Sequence, residues 1–397
     1  MSDLLLRNLR PMGGPACDLL IRGGTIAELA PGLDAPGVPV EDARGAIAWP
    51  GFIEAHTHLD KTVWGMDWYA DRKGGPLQNL IDNERNDRNR IGLEVHRQSM
   101  RHALHLVASG TRIIRSHVDV DTDHGRSLFD GLQATRAALA GMIEIEIVAF
   151  PQSGLMVRPG TLDLMDTVLA SGADIVGGLD PCAIDRDPKG QLDALFALAE
   201  KHGKPIDIHL HEPGEMGAFS MEMILERTRA HAMQGQVAIS HAFCLGSLPE
   251  SRAAALMADL AREGVAVMTT GSPSASVPAL RALRAAGVRV GAGCDGIRDT
   301  WGPWGLPDML HRAQILGMKN GFRTDAELEV LLDVIGPGGA GAIGRKGHGL
   351  DPGAPGDLVL LAGSCPAEAL TLCAPRPLVV KGGAVVARNG APLRDIP

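Results

Sequence analysis

Nowhere in this 397-residue chain do two cysteines form a Cys-x-x-Cys pair. The six present (Cys17, Cys182, Cys244, Cys294, Cys365 and Cys373) are widely scattered. That argues against a disulfide scaffold or a cysteine zinc site and leaves reduced thiols as the plain reading. An excess of positive charge is missing as well. Lys and Arg number 38 against 47 Asp and Glu, a net charge of −9 with the 14 histidines neutral. A nucleic-acid binder normally carries a basic stripe, so no such partner is expected. No apolar run reaches the length of a membrane span, so no membrane partner is expected either. Met1-Ser2-Asp3 begins no basic leader with an apolar core and a small-residue cleavage site. A cytoplasmic location is therefore expected. His-Glu-x-x-His and Pro-Cys-x-x-Cys are both absent, which removes the small zinc deaminase fold that acts on flipped bases.

What is present fits a large globular protein. The chain is 45% apolar and 21% charged, and long enough for one barrel-sized domain plus something smaller. Both ends are β-rich and broken by Gly and Pro, as in 18–22, 25–29, 357–361 and 378–387. They are expected to pair into one small β-sandwich domain, residues 1–49 plus 346–397. Between them, short apolar runs alternate with helical stretches such as 190–202 and 251–263. Candidate strands fall near 51–56, 111–117, 143–150, 174–178, 205–210, 236–241, 265–269 and 287–294. Eight strand–helix units over 50–345 imply an α/β fold, a (β/α)8 TIM barrel, with a doubly wound sheet as the alternative.

The chemistry gathers at the strand ends. The stretch Pro50-Gly51-Phe52-Ile53-Glu54-Ala55-His56-Thr57-His58 closes on two histidines spaced i, i+2. In an extended strand these point to one face and can reach one cation. The second strand ends in Ser116-His117-Val118-Asp119, the third in Phe150-Pro151-Gln152, and the fifth in His209-Leu210-His211-Glu212. The sixth ends in Ser240-His241 and the eighth in Cys294-Asp295. Six of eight strands thus deliver a ligand-type or proton-transfer side chain at the end where barrel sites lie. At buried strand ends an unpaired polar group is costly. His209 and Asp295 are therefore read as metal ligands beside His56 and His58. Glu212 reads equally as a solvated loop carboxylate, and His241 as a strand cap. His117 and Asp119 read as ligands or as structural hydrogen-bonding groups, and Asp60 and Lys61 as loop charges.

These motifs, in this order and spacing, resemble the amidohydrolase superfamily and within it the cytosine deaminase-like group. The matching pieces are 50–62, 115–120, 148–154, 208–212, 240–241 and 293–301, and Phe150-Pro151-Gln152 narrows the match to that group. The resemblance implies that His56, His58, His209 and Asp295 ligate one divalent metal, Zn2+ or Fe2+. It implies that Glu212 protonates a ring nitrogen and that His241 assists the attacking water. Asp295 would take the proton of that water, and Gln152 would read the substrate's carbonyl and ring-nitrogen edge. Binuclear members carry a carboxylated lysine at the end of the fourth strand. Here the stretch is Ile175-Val176-Gly177-Gly178-Leu179-Asp180-Pro181, so one metal is expected. The group's His-Asp-Asp on the eighth strand is Cys294-Asp295-Gly296 here, and Leu210-His211 replaces a Cys-Asp pair. These departures unsettle cytosine itself as the substrate. Trp301 is a candidate ring wall and Arg298 a candidate reader of an acidic substituent, each with packing or solvation as the alternative.

The expected function is hydrolytic deamination of a small N-heterocycle with release of ammonia. One alternative is removal of an N-alkyl amine or opening of a cyclic amide on a related ring. A non-catalytic barrel is another. A homo-oligomer is expected from the habits of such barrels, although no stretch identifies an interface.

Overall fold

A computed structural model describes residues 2–397. Eight parallel strands follow one another in chain order around a barrel. They are β1 (Phe52–Thr57), β2 (Thr111–Asp119), β3 (Glu144–Phe150), β4 (Ile175–Leu179), β5 (Ile206–His209), β6 (Val237–Ser240), β7 (Ala266–Thr269) and β8 (Val290–Ala292). Each overlaps one of the eight predicted strands. Two helices, α1 (Leu77–Asp87) and α2 (Val95–Ala108), separate β1 from β2. Single main helices follow the next strands: α3 (Ser127–Ala138), α4 (Thr161–Ala170), α5 (Pro188–His202), α6 (Gly214–Ala230), α7 (Glu250–Arg262) and α8 (Leu280–Ala285). The fold is the expected (β/α)8 barrel with a small β domain beside it.

The register explains why the polar strand ends meet. His209 pairs with Leu179 on one side and Ser240 on the other, and Asp119 pairs with Phe150. Neighbouring strands therefore finish level, and the residues just past them share one rim. The barrel closes at a thin seam, where Thr57 bridges Asp295 and the Asp295 amide donates to the His56 carbonyl at 2.8 Å. Gly293 sits in that seam. A Cβ there would come within 2.3 Å of the His56 carbonyl oxygen, so only glycine allows β1 and β8 to approach.

Local sequence sets the helix ends. The predicted helix 190–202 begins at Pro188 because Asp187 accepts from the Gly190 amide and proline suits the first turn. It stops at Gly203, whose φ of 63° no side chain favours, with Lys201 and His202 in the last turn.

The termini pair as expected. The strand Ile47–Pro50 runs antiparallel to Leu358–Leu361, with Leu358 opposite Pro50. By hydrogen bonding, the terminal strands form one nine-stranded sheet. Leu6, Leu19 and Ile21 from one half share an apolar cluster with Leu358, Leu360 and Val380 from the other, so the sheet covers its own core. No helix among the described residues is long and apolar enough to cross a membrane.

Candidate metal centre

β1 carries His56 and His58 to the rim, β5 carries His209, and the turn after β8 carries Asp295. Ring nitrogens of His56, His58, His117 and His209 lie within 4.8 Å of one another, and Asp295 groups in the same way with His56 and His241. Asp295 Oδ1 lies 3.6 Å from His56 Nε2 and 3.5 Å from His58 Nε2. His58 Nε2 lies 3.4 Å from His209 Nε2. Donors about 2.1 Å from a common tetrahedral cation stand about 3.4 Å apart. The spacing therefore fits a divalent metal.

The surrounding chemistry fits it too. His56 Nδ1 meets the Ser240 hydroxyl at 2.9 Å, and that hydroxyl donates to Asp207 at 2.7 Å. This fixes the ring and leaves a buried Nε2 without a hydrogen-bond partner. Two ring nitrogens face each other between His58 and His209, an arrangement a cation would reconcile. Burial first, then the Lys61 charge, holds His58 well below its ordinary pKa. Burial and the neighbouring imidazoles do the same for His209. For Asp295, desolvation opposes ionisation, but the His56 contact and the nearby His241 and His58 rings outweigh it and keep the carboxyl well below its usual range. Neutral imidazoles and an ionised carboxylate are the forms a metal binds.

His241 stands beside this group, its ring centre 4.8 Å from that of His56, with neither ring nitrogen hydrogen-bonded. It stacks at 4.5 Å on His211, whose Nδ1 meets the Asp180 carboxylate at 2.7 Å. His117 also joins the cluster, 4.4 Å from both the His56 and His209 rings, with both of its nitrogens unpartnered. The backbone is left-handed at Asp180, His241 and Asp295, with φ of 34°, 71° and 61°. Such turns cost energy and collect at sites.

A cavity of about 420 Å³ opens over the cluster. Its walls include His58, Phe150, Gln152, His209, Trp301 and Asp295. Gln152 and Trp301, the expected substrate-binding residues, are both among its lining residues. Glu212 does not line this cavity. Its Oε1 accepts from the amides of Cys182 and Ala183 at 2.7 and 2.8 Å, and the Ser220 hydroxyl donates to its Oε2. It is 2% exposed, so the reading of a solvated loop carboxylate fails. Burial raises its pKa despite these bonds. Arg298 stacks on Trp64 at 4.3 Å and lies outside the cavity walls.

The loop-charge reading of Asp60 and Lys61 is also wrong. Asp60 is fully buried and Lys61 is 4% exposed. The Lys61 ammonium pairs with Asp119 at 2.9 Å and Glu84 at 3.3 Å, and donates to Gln152 Oε1 at 2.8 Å. Arg88 donates to Glu84 and Asp119 at 2.7 and 2.9 Å. Glu84 comes from the C-terminal half of α1 and Arg88 caps its end, and the Trp301 indole donates to Glu84. Desolvation opposes the Lys61 charge, but Asp119, Glu84 and Asp60 outweigh it and raise its pKa. Asp119 thus pairs with both cations, and it also lies within 4.8 Å of ligand-type atoms of His58 and Asp60. Sequence reading missed Glu84 and Arg88, because nothing in a polar helix announces which charges are buried. It also missed the Asp180–His211 pair, although His209-Leu210-His211 repeats the i, i+2 spacing of the first strand.

A family model described as the amidohydrolase family matches residues 39–387. The chain belongs to the amidohydrolase family. Over 98% of both chains it is 29% identical to the N-isopropylammelide isopropyl amidohydrolase of Pseudomonas sp. (strain ADP). The crystal structure of N-isopropylammelide isopropylaminohydrolase from Burkholderia multivorans is similar at a TM-score of 0.95 and 50% identity, over 99% of this chain and 100% of that one. A 5-methylcytosine deaminase from Klebsiella pneumoniae, liganded with 5-fluorocytosine, matches at a TM-score of 0.86 and 25% identity over 97% of each chain. These cytosine deaminase-like relatives agree with the motif resemblance, and this amidohydrolase is a hydrolase acting on carbon–nitrogen bonds.

Proposed function

We infer that the protein removes an alkylamine from an oxo-substituted six-membered N-heterocycle of the triazine type by hydrolysis. The observation that carries this reading is the convergence of His56, His58, His209 and Asp295 under a cavity walled by Phe150, Trp301 and Gln152. Likeness to two N-isopropylammelide hydrolases along nearly the whole chain shifts the balance from ammonia toward an alkylamine as leaving group. The volume falls within the roughly 300–1,000 Å³ of small-molecule sites.

In the proposed reaction a water oxygen bonds to a ring carbon and the exocyclic C–N bond breaks. The amine departs with one proton and the ring gains an oxo group. His56, His58, His209 and Asp295 would hold one divalent cation, zinc or iron. Such a cation supplies Lewis acidity that brings a water's pKa toward neutrality. Asp295, open to the cavity, accepts the water's proton. His241 holds the water through its free ring nitrogens. Glu212 delivers a proton to the ring nitrogen beside the attacked carbon after its side chain swings from Ser220 toward the cavity. Trp301 and Phe150 flank the ring and Gln152 fixes its edge.

The test is turnover of metal-loaded protein on N-isopropylammelide, cytosine, 5-methylcytosine and a pterin, with isopropylamine and ammonia quantified separately. Isopropylamine from the first compound is the expected result. Ammonia from a pyrimidine or pterin with no alkylamine release would favour the deaminase reading, which the likeness to 5-methylcytosine deaminase supports. Absence of turnover throughout, with metal bound, would leave the non-catalytic barrel.

A further inference from the structure

We propose that Lys61 is a positioning residue that locks the Gln152 amide with its NH2 group toward the cavity, so that the site selects rings presenting an oxo rather than an amino group at that edge. The proposal rests on the N-heterocycle reading above and adds the selecting contact. An ammonium has only protons to offer. The Gln152 atom 2.8 Å from Lys61 Nζ is therefore the carbonyl oxygen. The amide nitrogen is left with no hydrogen bond to any described residue, on a side chain that lines the cavity. Turning the amide over would press NH2 against the ammonium, donor against donor.

The lock is itself held. Lys61 and Gln152 are 4% and 5% exposed. Asp119 and Glu84 fix the ammonium at 2.9 and 3.3 Å, and Arg88 grips both carboxylates while donating to the Asp60 carbonyl at 3.0 Å. Glu84 also receives the indole N–H of Trp301. One carboxylate of α1 therefore sets both the amide that reads the ring edge and the wall the ring lies against. With its acceptors already arranged around it, Lys61 is not free to act as a base or a nucleophile.

An oxo group meeting the Gln152 NH2 gains a hydrogen bond. An amino group there sets two donors face to face, and discrimination of about 10²-fold follows. The test compares kcat/KM of metal-loaded protein on N-isopropylammelide and on the analogue with one ring oxo group replaced by amino. The native protein should favour the oxo ring about 100-fold. Lys61→Met should bring the ratio within about 10-fold with metal content retained, while the Arg88 hydrogen bonds to Glu84 and Asp119 remain. Lys61→Gln, whose amide can both donate and accept, should do the same and serves if the methionine variant does not fold. A uniform loss on both rings with the native ratio kept would mean a merely structural lysine and would overturn the proposal. Equal turnover of both rings by the native protein would overturn it too. Turnover of neither ring would bring down the functional reading first, and the proposal with it.

Discussion

Replacing Glu212 with glutamine separates its chemistry from its place in the fold. The carboxylate accepts two backbone amides and one hydroxyl in the resting structure. A glutamine carbonyl can still accept from Cys182 and Ala183, and its NH2 can donate to the Ser220 oxygen. The lost stability is then the difference between charged and neutral acceptors, about 1–2 kcal/mol. In a chain of this size that lowers the melting midpoint by about 1–3 °C. The proton that its acid form delivers on turning to the cavity has no such substitute. Positioned acid–base groups contribute about 10²–10⁴-fold, so kcat should fall by that factor. Burial raises the Glu212 pKa, so the acid form persists to higher pH than for a free glutamate, as a proton donor requires. The assay is amine release at saturating substrate, with metal per chain measured on the same sample. Near-normal kcat at full metal content would refute the proton-transfer role and leave Glu212 a brace for residues 182–183.

Other perturbations give distinct readouts. Chelation should abolish turnover, and one equivalent of Zn2+ or Fe2+ per chain should restore it; Asp295→Ala should not be restored, and full activity in metal-free protein would end the proposed chemistry. His102 is buried with both ring nitrogens unpartnered, and burial lowers its pKa to about 3. Its folded pKa lies below the unfolded value near 6.5, so between pH 6.5 and 3 the unfolded chain binds a proton that the fold refuses. This group's contribution is thus intact above pH 6.5 and destabilises as pH falls, by ~1.4 kcal/mol per unit. Denaturant unfolding of His102→Leu should show its stability relative to the native protein rising by about 2 kcal/mol from pH 7 to pH 5, and an unchanged gap would refute the assignment. Gly293→Ala should cost about 2–4 kcal/mol, because the added Cβ meets His56 backbone rather than a movable side chain, and native stability in that variant would refute the close approach.

The barrel was legible because each strand is a short apolar run between helical stretches, and register then carries its polar end to the common rim. That rule brings His56, His58, His209 and Asp295 to the rim together with His117 and His241, and the family resemblance is what singles out the four as expected ligands. The place of Lys61 could not be read that way. Asp60-Lys61 resembles any loop pair, and its burial depends on Glu84, Asp119 and Gln152, which are 23, 58 and 91 positions further on. The orientation of Glu212 was hidden for the same reason, since its partners Cys182, Ala183 and Ser220 belong to the loop after β4 and to α6. Sequence spacing reports which residues reach the rim. It does not report which partner a side chain takes once several are within reach.

The seam between β1 and β8 has a mechanical consequence. Strand pairing there comes down to the single Thr57–Asp295 bridge, yet its two sides carry His56 and His58 on one and Asp295 on the other. An ion shared by these residues would act as a clasp across the weakest join of the cylinder. Demetallation would then loosen the wall at that one place, and amide hydrogen exchange would quicken along β1 and β8 before it did on the far side, at β4 and β5.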